Sequence, residues 1–271
     1  MREFENQGNG EIMDYNYHTH TARCNHAFGT PEEYILQAIE GGIKYMGFSD
    51  HFPFAFPDGY EGASRVPVEE AKEYVEELCA LREKYKDKID IKIGFEMEYY
   101  PTYFEEMLKN AIEYGAEYLI LGHHFLHEEH PWGIHTNRLN NSVDDLKEFV
   151  NHVVKGIESG VFTYVAHPDV FNFTGDDKDY EQEMRKICRA ATKTDTPLEI
   201  NFLGIRTNRN YPDELFWKIA GEEKSPVTFG YDSHDVKDAC DKDSLDRAME
   251  IVKKYNLNYV GKPKLRILEE R

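Results

Sequence analysis

Twelve histidines stand in this 271-residue chain, and half lie directly beside a carboxylate or another histidine. His18-Thr19-His20 places two imidazoles two residues apart, so on an extended strand both face the same way and can reach one ion. Asp232-Ser233-His234 repeats that spacing with a carboxylate. Asp50-His51, Glu96, His123-His124 and His167-Pro168-Asp169 fall at the ends of other apolar runs, and His26 follows His20 by six residues. Imidazole and carboxylate without thiolate suit Zn, Fe or Mn better than Ca or Mg. A catalytic zinc takes about three protein ligands. Nine donors, His18, His20, His26, His51, Glu96, His124, His167, Asp232 and His234, therefore imply three sites. A lone histidine at a strand end is more often an ordinary hydrogen-bonded residue. Convergence carries the metal reading, because burying so many unpaired polar groups without a cation is costly.

Convergence requires elements that bring these ends together. Seven short β-rich runs are expected: Tyr15–His20, Tyr45–Ser49, Ile91–Met97, Tyr118–Leu121, Phe162–Ala166, Leu198–Asn201 and Val227–Tyr231. Helix signals lie between them. Thr30-Pro31-Glu32-Glu33 reads as an N-cap, a proline at the first helical position and a capping-box glutamate, with Gly41-Gly42 as the stop. Ser142 opens a second well-marked helix that runs to Gly160. Others are expected over Pro67–Tyr85, Phe104–Tyr114, Tyr180–Ala191, Asp213–Gly221 and Ser244–Tyr255. Strict alternation of strand and helix implies parallel strands with crossover helices, hence an α/β barrel or a doubly wound sheet. In a β/α barrel functional residues gather where strands end, and every strand end here carries His, Asp, Glu or Asn.

The remaining histidines read more plainly. His127, His130 and His135 belong to a His-rich loop at the rim of the site, His123 stands beside the site, and His152 is a solvated helical residue. Tyr99 and Tyr100 read as packing residues, and Asp50 as a carboxylate that orients a neighbour.

Composition bounds the class. Lys plus Arg is 32 against 51 Asp plus Glu, a formal net charge of −19, which argues against a nucleic-acid partner. Hydrophobic residues make up 40%, too many for a disordered chain, and no apolar run nears the roughly 18 residues of a membrane span. Cys24, Cys79, Cys188 and Cys240 are widely spaced and read as reduced thiols of a cytoplasmic protein. Residues 1–13 are polar and read as a flexible arm, with one domain over 14–271. Oligomeric state is not written in the sequence.

In order, HTHT, SDH, GFE, GHHF, AHPD and YDSH resemble the PHP (polymerase and histidinol phosphatase) family, from about Tyr15 to about Tyr255. EINFLGIRTNRNYP followed by TFGYDSH is similar to its monofunctional histidinol-phosphatase subgroup. The resemblance implies a distorted seven-stranded (β/α)7 TIM-like barrel and a trinuclear site of divalent Zn, Fe or Mn. His18, His20, Glu96 and Asp232 would hold one ion, Glu96 with His124 and His167 a second, and His26, His51 and His234 a third. The choice of His124 over His123 rests on the family's His-then-aromatic step. The implied reaction is hydrolysis of L-histidinol phosphate to L-histidinol and phosphate. A hydroxide bridging the ions would attack phosphorus, with Glu96 and Asp232 in the centre and Arg206 clamping the phosphate. Arg209 is the competing arginine. A metal-bound water, His123 or Glu98 would protonate the leaving group, and Glu98 or Asp58 would meet the substrate's ammonium. A nucleotide or other small phosphate ester is the alternative substrate. Two departures from the family pattern stand out: Tyr-Asp-Ser-His at strand seven, and the doubled histidine at strand four.

Overall fold

A computed structural model describes residues 13–268. The arm expected over residues 1–13 lies outside the described residues except for Met13, which is buried.

Strands and helices alternate along the chain. β1 (Tyr15–Asn16), α1 (Pro31–Gly41), β2 (Tyr45–His51), α2 (Ala71–Tyr85), β3 (Asp90–Met97), α3 (Phe104–Tyr114) and β4 (Tyr118–Leu121) form the first half. A small antiparallel hairpin, β5 (Phe125–Leu126) and β6 (Ile134–His135), interrupts the alternation before α4 (Val143–Glu158) and α5 (Asp177–Thr194). β7 (Leu198–Asn201), α6 (Phe202–Thr207), α7 (Glu214–Glu223), β8 (Pro226–Gly230), α8 (Lys242–Tyr255) and β9 (Asn258–Tyr259) complete it.

The helix starts follow from local chemistry. The Thr30 hydroxyl accepts from the Glu33 amide while the Glu33 carboxylate accepts from the Thr30 amide, and Gly42 closes α1 at φ 90°. Ser142 caps α4 through the Asp145 amide. Each cap satisfies backbone groups that a helix end leaves orphaned. Apolar faces of α1, α2, α3 and α4 then bury Ile35, Leu78, Met107 and Phe149 against the sheet.

All strand pairs of the main sheet are parallel, in two runs: β1-β2-β3-β4 and β7-β8-β9. Isolated parallel bridges join the runs. Val165 bridges Leu121 on one side and Leu198 on the other, and Thr19 bridges Ser233. The Val165 amide donates to Pro197 O and the Glu199 amide to Val165 O, both at 2.9 Å. At the other seam His20 donates to Ser233 O at 2.9 Å and Ser233 to His18 O at 3.2 Å. The fold is thus an α/β fold on a curled parallel sheet. The run expected as strand Phe162–Ala166 lies between the two runs, its backbone hydrogen-bonded on one side to Leu119 and Leu121 and on the other to Pro197 and Glu199.

Candidate metal centre

The expected donors lie together at the C-terminal ends of the parallel strands. Register explains part of this: His51 on β2 sits directly opposite Glu96 on β3, so both side chains leave the same face. Glu96 occupies the middle. Its Oε2 lies 3.5 Å from His18 Nε2, 3.5 Å from His20 Nε2 and 3.2 Å from His51 Nδ1. Its Oε1 lies 3.4 Å from His124 Nε2 and 2.9 Å from His167 Nε2. Asp232 Oδ1 faces His20 Nε2 at 3.4 Å, His18 Nε2 at 3.7 Å and His234 Nδ1 at 3.1 Å. His26 closes the outer side, its Nε2 being 2.9 Å from His234 Nε2. All nine donors are brought together, and each falls in a group whose ligand atoms lie within 4.8 Å of one another.

The donor set fits divalent metal. Among the described residues, His18 Nε2, His20 Nε2, both Glu96 oxygens and Asp232 Oδ1 are buried without a hydrogen-bond partner. Such orphans cost free energy unless something binds them. Ring nitrogens face each other in pairs, His26 with His234 at 2.9 Å and His124 with His167 at 3.3 Å, spacings at which a cation between two lone pairs would hold both rings. The set of imidazole and carboxylate donors is the one zinc and its neighbours take.

The carboxylates of the centre draw positive charge to it. Burial favours the neutral form of Glu96, yet His124, His18 and His51 outweigh it and hold the carboxyl well below its usual range. Burial alone would neutralise His18, but Glu199, Asp232 and Glu96 outweigh it and raise its pKa well above 6.5.

A ring of further groups orients the donors. Glu199 on β7 takes the His18 Nδ1 at 2.7 Å through Oε1, and the His167 amide at 2.9 Å through Oε2. That contact fixes the His18 tautomer and turns Nε2 toward Glu96. Asn201 Nδ2 donates to Glu199 Oε2 at 2.8 Å and to Asp232 Oδ2 at 3.0 Å. His124 Nδ1 meets Glu98 Oε1 at 3.0 Å, and Glu98 Oε2 pairs with Arg65 Nη2 at 2.9 Å. Arg65 is buried and also holds Glu129. His167 and Asp232 both have left-handed backbones, at φ 29° and 46°. Arg65, Glu129 and Glu199 had no role assigned from sequence. Arg65 and Glu129 sit in loops without a motif, whereas Glu199 stands at a strand end that carried a polar residue like the others.

Several expectations are corrected. Arg206 does not face the centre: Nη1 donates to Tyr231 O at 2.6 Å, Nη2 to Asp232 O at 2.5 Å, and Nε lies 3.2 Å from Asp238. Arg209 lines the cavity instead, a space of about 340 Å³ that also exposes Glu96, His124, His167, Asp232 and His234. The physical reason is the end of α6. Asn208 closes that helix in a left-handed conformation at φ 53°, and the chain turns before Arg209. His123 points away from the cavity, its Nε2 3.3 Å from His152 Nδ1. His152 is accordingly buried, not solvated. Glu98 is held by Arg65 and His124 at a pKa of about 2, although burial opposes this, so it has no proton to give near neutral pH. Asp58 lies 3.3 Å from His130 Nε2, outside the cavity lining.

The rim reading holds for His135, which lines the cavity, but not for His130, which is buried, stacks between Tyr60 and Trp132 and does not line the cavity. The Asp50 Oδ1 accepts the Thr21 amide at 2.8 Å. Tyr100 is packed in the core, and all four cysteines are free. Among the described residues no helix is long and apolar enough to cross a membrane.

Known proteins resemble this chain in sequence and fold. The chain is 26% identical over 228 residues to the "Probable histidinol-phosphatase" of Deinococcus radiodurans, covering 80% of this chain and 85% of that protein. It is 26% identical over 259 residues to the histidinol-phosphatase of Lactococcus lactis subsp. lactis, covering 89% and 90%. A crystal structure of histidinol phosphate phosphatase from Lactococcus lactis subsp. lactis, complexed with Zn, L-histidinol and phosphate, has the same fold. Its TM-score is 0.69 at 20% identity, covering 96% of this chain and all of that one. The profile of the PHP domain matches residues 16–202, a span that holds seven of the nine donors. With that span of matched sequence and the donors gathered at its strand ends, the chain belongs to the PHP domain family.

Proposed function

We propose that this protein hydrolyses a phosphate monoester, L-histidinol phosphate, to L-histidinol and phosphate, as the names of its relatives indicate for them. The observation that carries the reading is the cavity, which Arg209, its Nη1 donating to Tyr211 OH at 3.0 Å, lines together with the donor cluster. Three ions fit the donors as three groups. His26, His51 and His234 form the outer one, and Glu96 divides its two oxygens between His18, His20 and His51 on one side and His124 and His167 on the other. Asp232 serves His18, His20 and His234. Divalent ions held there supply a nucleophile near neutral pH and neutralise phosphoryl charge.

The chain's own residues do the rest. Arg209 offers a planar fork to the non-bridging phosphate oxygens. Glu199 holds His18 in one tautomer, and Glu98 holds His124. Arg65 keeps the Glu98 carboxylate ionised. The walls bring Phe125, His135 and Tyr211 around the remainder of the substrate. The domain is read as one unit over residues 14–271, and the bridges at Val165 and Thr19 support a distorted seven-stranded barrel. The charge of −19 speaks for a small-molecule partner over nucleic acid, and the free cysteines accord with a cytoplasmic location.

The test is phosphate release from L-histidinol phosphate, a nucleoside monophosphate and p-nitrophenyl phosphate, before and after chelation, with Zn, Mn or Fe added back. Preference for histidinol phosphate, lost on chelation and restored by metal, is the expected result. A better nucleotide substrate would overturn the substrate assignment, and activity indifferent to chelation would overturn the metal centre. Arg209→Met should weaken inhibition by inorganic phosphate by about 10- to 100-fold, the worth of a charge-assisted contact.

A further inference from the structure

Arg206 stands behind the donor cluster with its guanidinium only 15% exposed. Its two terminal nitrogens donate to consecutive carbonyls, Tyr231 O at 2.6 Å and Asp232 O at 2.5 Å. Those carbonyls lie immediately before and after the α carbon of Asp232. That residue adopts φ 46°, a left-handed conformation that an L-residue leaves unless something holds it. The conformation has a use. It sends the Asp232 carboxylate toward His20, His18 and His234, at 3.4, 3.7 and 3.1 Å. His234 Nδ1 also lies 3.2 Å from the clamped Asp232 carbonyl. On its far side Arg206 is aimed by Asp238, 3.2 Å from Nε, with Asp241 at 3.8 Å from Nη1.

We infer that Arg206 is a positioning residue of the metal centre: it clamps both carbonyls around Asp232 and so fixes the left-handed backbone from which this carboxylate reaches its ion. It does not touch substrate. A flat fork with two parallel N–H groups spans consecutive carbonyls, whereas a lysine ammonium is a single point on a flexible stem. Lysine therefore does not replace it. The inference rests on the metal-centre reading above.

The test compares wild type, Arg206→Met, Arg206→Lys and Arg209→Met. Zinc affinity is measured by competition with a chromophoric chelator, zinc content by mass spectrometry, and folding by circular-dichroism melting. Both Arg206 variants should bind their weakest zinc equivalent about 10- to 100-fold less tightly than wild type, the usual effect of removing a group that orients a ligand. Their kcat should recover at raised zinc with KM unchanged. Arg209→Met should keep wild-type zinc affinity and bind phosphate about 10- to 100-fold more weakly. Wild-type zinc affinity in folded Arg206→Met, together with a raised KM, would overturn the inference and return Arg206 to the substrate. If Arg206→Met gives no cooperative melt, Arg206→Lys decides by the same criterion. A wild-type protein that holds no divalent metal would overturn the metal-centre reading itself. Zinc held equally by wild type and variant would overturn this inference alone.

Discussion

Glu199 has a larger part than its burial alone suggests. One carboxylate receives three donors: His18 Nδ1, the His167 amide and Asn201 Nδ2. Glutamine offers a single accepting oxygen, and its amide would point hydrogens at another N–H. Glu199→Gln should therefore loosen two metal ligands at once. We expect zinc affinity to fall about 10- to 100-fold, read by chelator competition, with the far-ultraviolet spectrum unchanged. An unchanged affinity would show that the His18 tautomer is fixed by the metal without help. Gly122 acts at the same scale by what it lacks. A β carbon there would lie 2.1 Å from Glu96 Oε1. Gly122→Ala should push the carboxylate out of the middle of the centre and leave the purified protein depleted of metal, measured as ions per chain.

At the scale of elements, Asp169 links the turn after His167 to the start of α7. Its Oδ2 accepts the Asp213 amide at 2.7 Å and the Trp217 indole at 2.8 Å. Burial pushes its pKa up from 3.8 to about 7. The folded state then binds more protons than the unfolded chain between those values, so this residue's contribution to stability declines as pH rises through that window. Asparagine keeps the acceptor and has no charge to bury. The melting temperature of Asp169→Asn minus that of wild type should grow from about pH 4 to about pH 7 and level off above. A flat difference would show that the two hydrogen bonds satisfy the charged form. The elements were legible where chemistry is local. The Thr30 and Ser142 caps state their helices in three or four residues, and both helices form there. The histidine pairs were legible for the same reason, since spacing on a strand decides facing. What failed depended on direction. Six-residue α6 is too short to show a period, so the sequence could not tell that Arg206 turns inward while Arg209, just past Asn208, meets the cavity.

Over the whole molecule, a net charge of −19 surrounds a pocket built for an anion. Long-range repulsion slows the approach of anionic substrates, and salt relieves it. Under conditions where association limits turnover, kcat/KM should rise as salt goes from about 10 to about 150 mM, over which the screening length drops from about 30 to about 8 Å. The rise should be steeper for a nucleoside monophosphate dianion than for histidinol phosphate, whose ammonium offsets one charge. A decline for both would mean that the local positive charge of the centre governs the approach. The seam between Thr19 and Ser233 reaches further than geometry. It ties residues made early to residues made more than two hundred positions later, and the donor set straddles it. A growing chain on the ribosome therefore carries His18 and His20 long before Asp232 and His234 exist. Capture of the ions that need Asp232 or His234 is then a closing event of biosynthesis and not a seed for it, and a fragment released before residue 234 leaves the imidazoles of those sites open to whatever metal the cell offers.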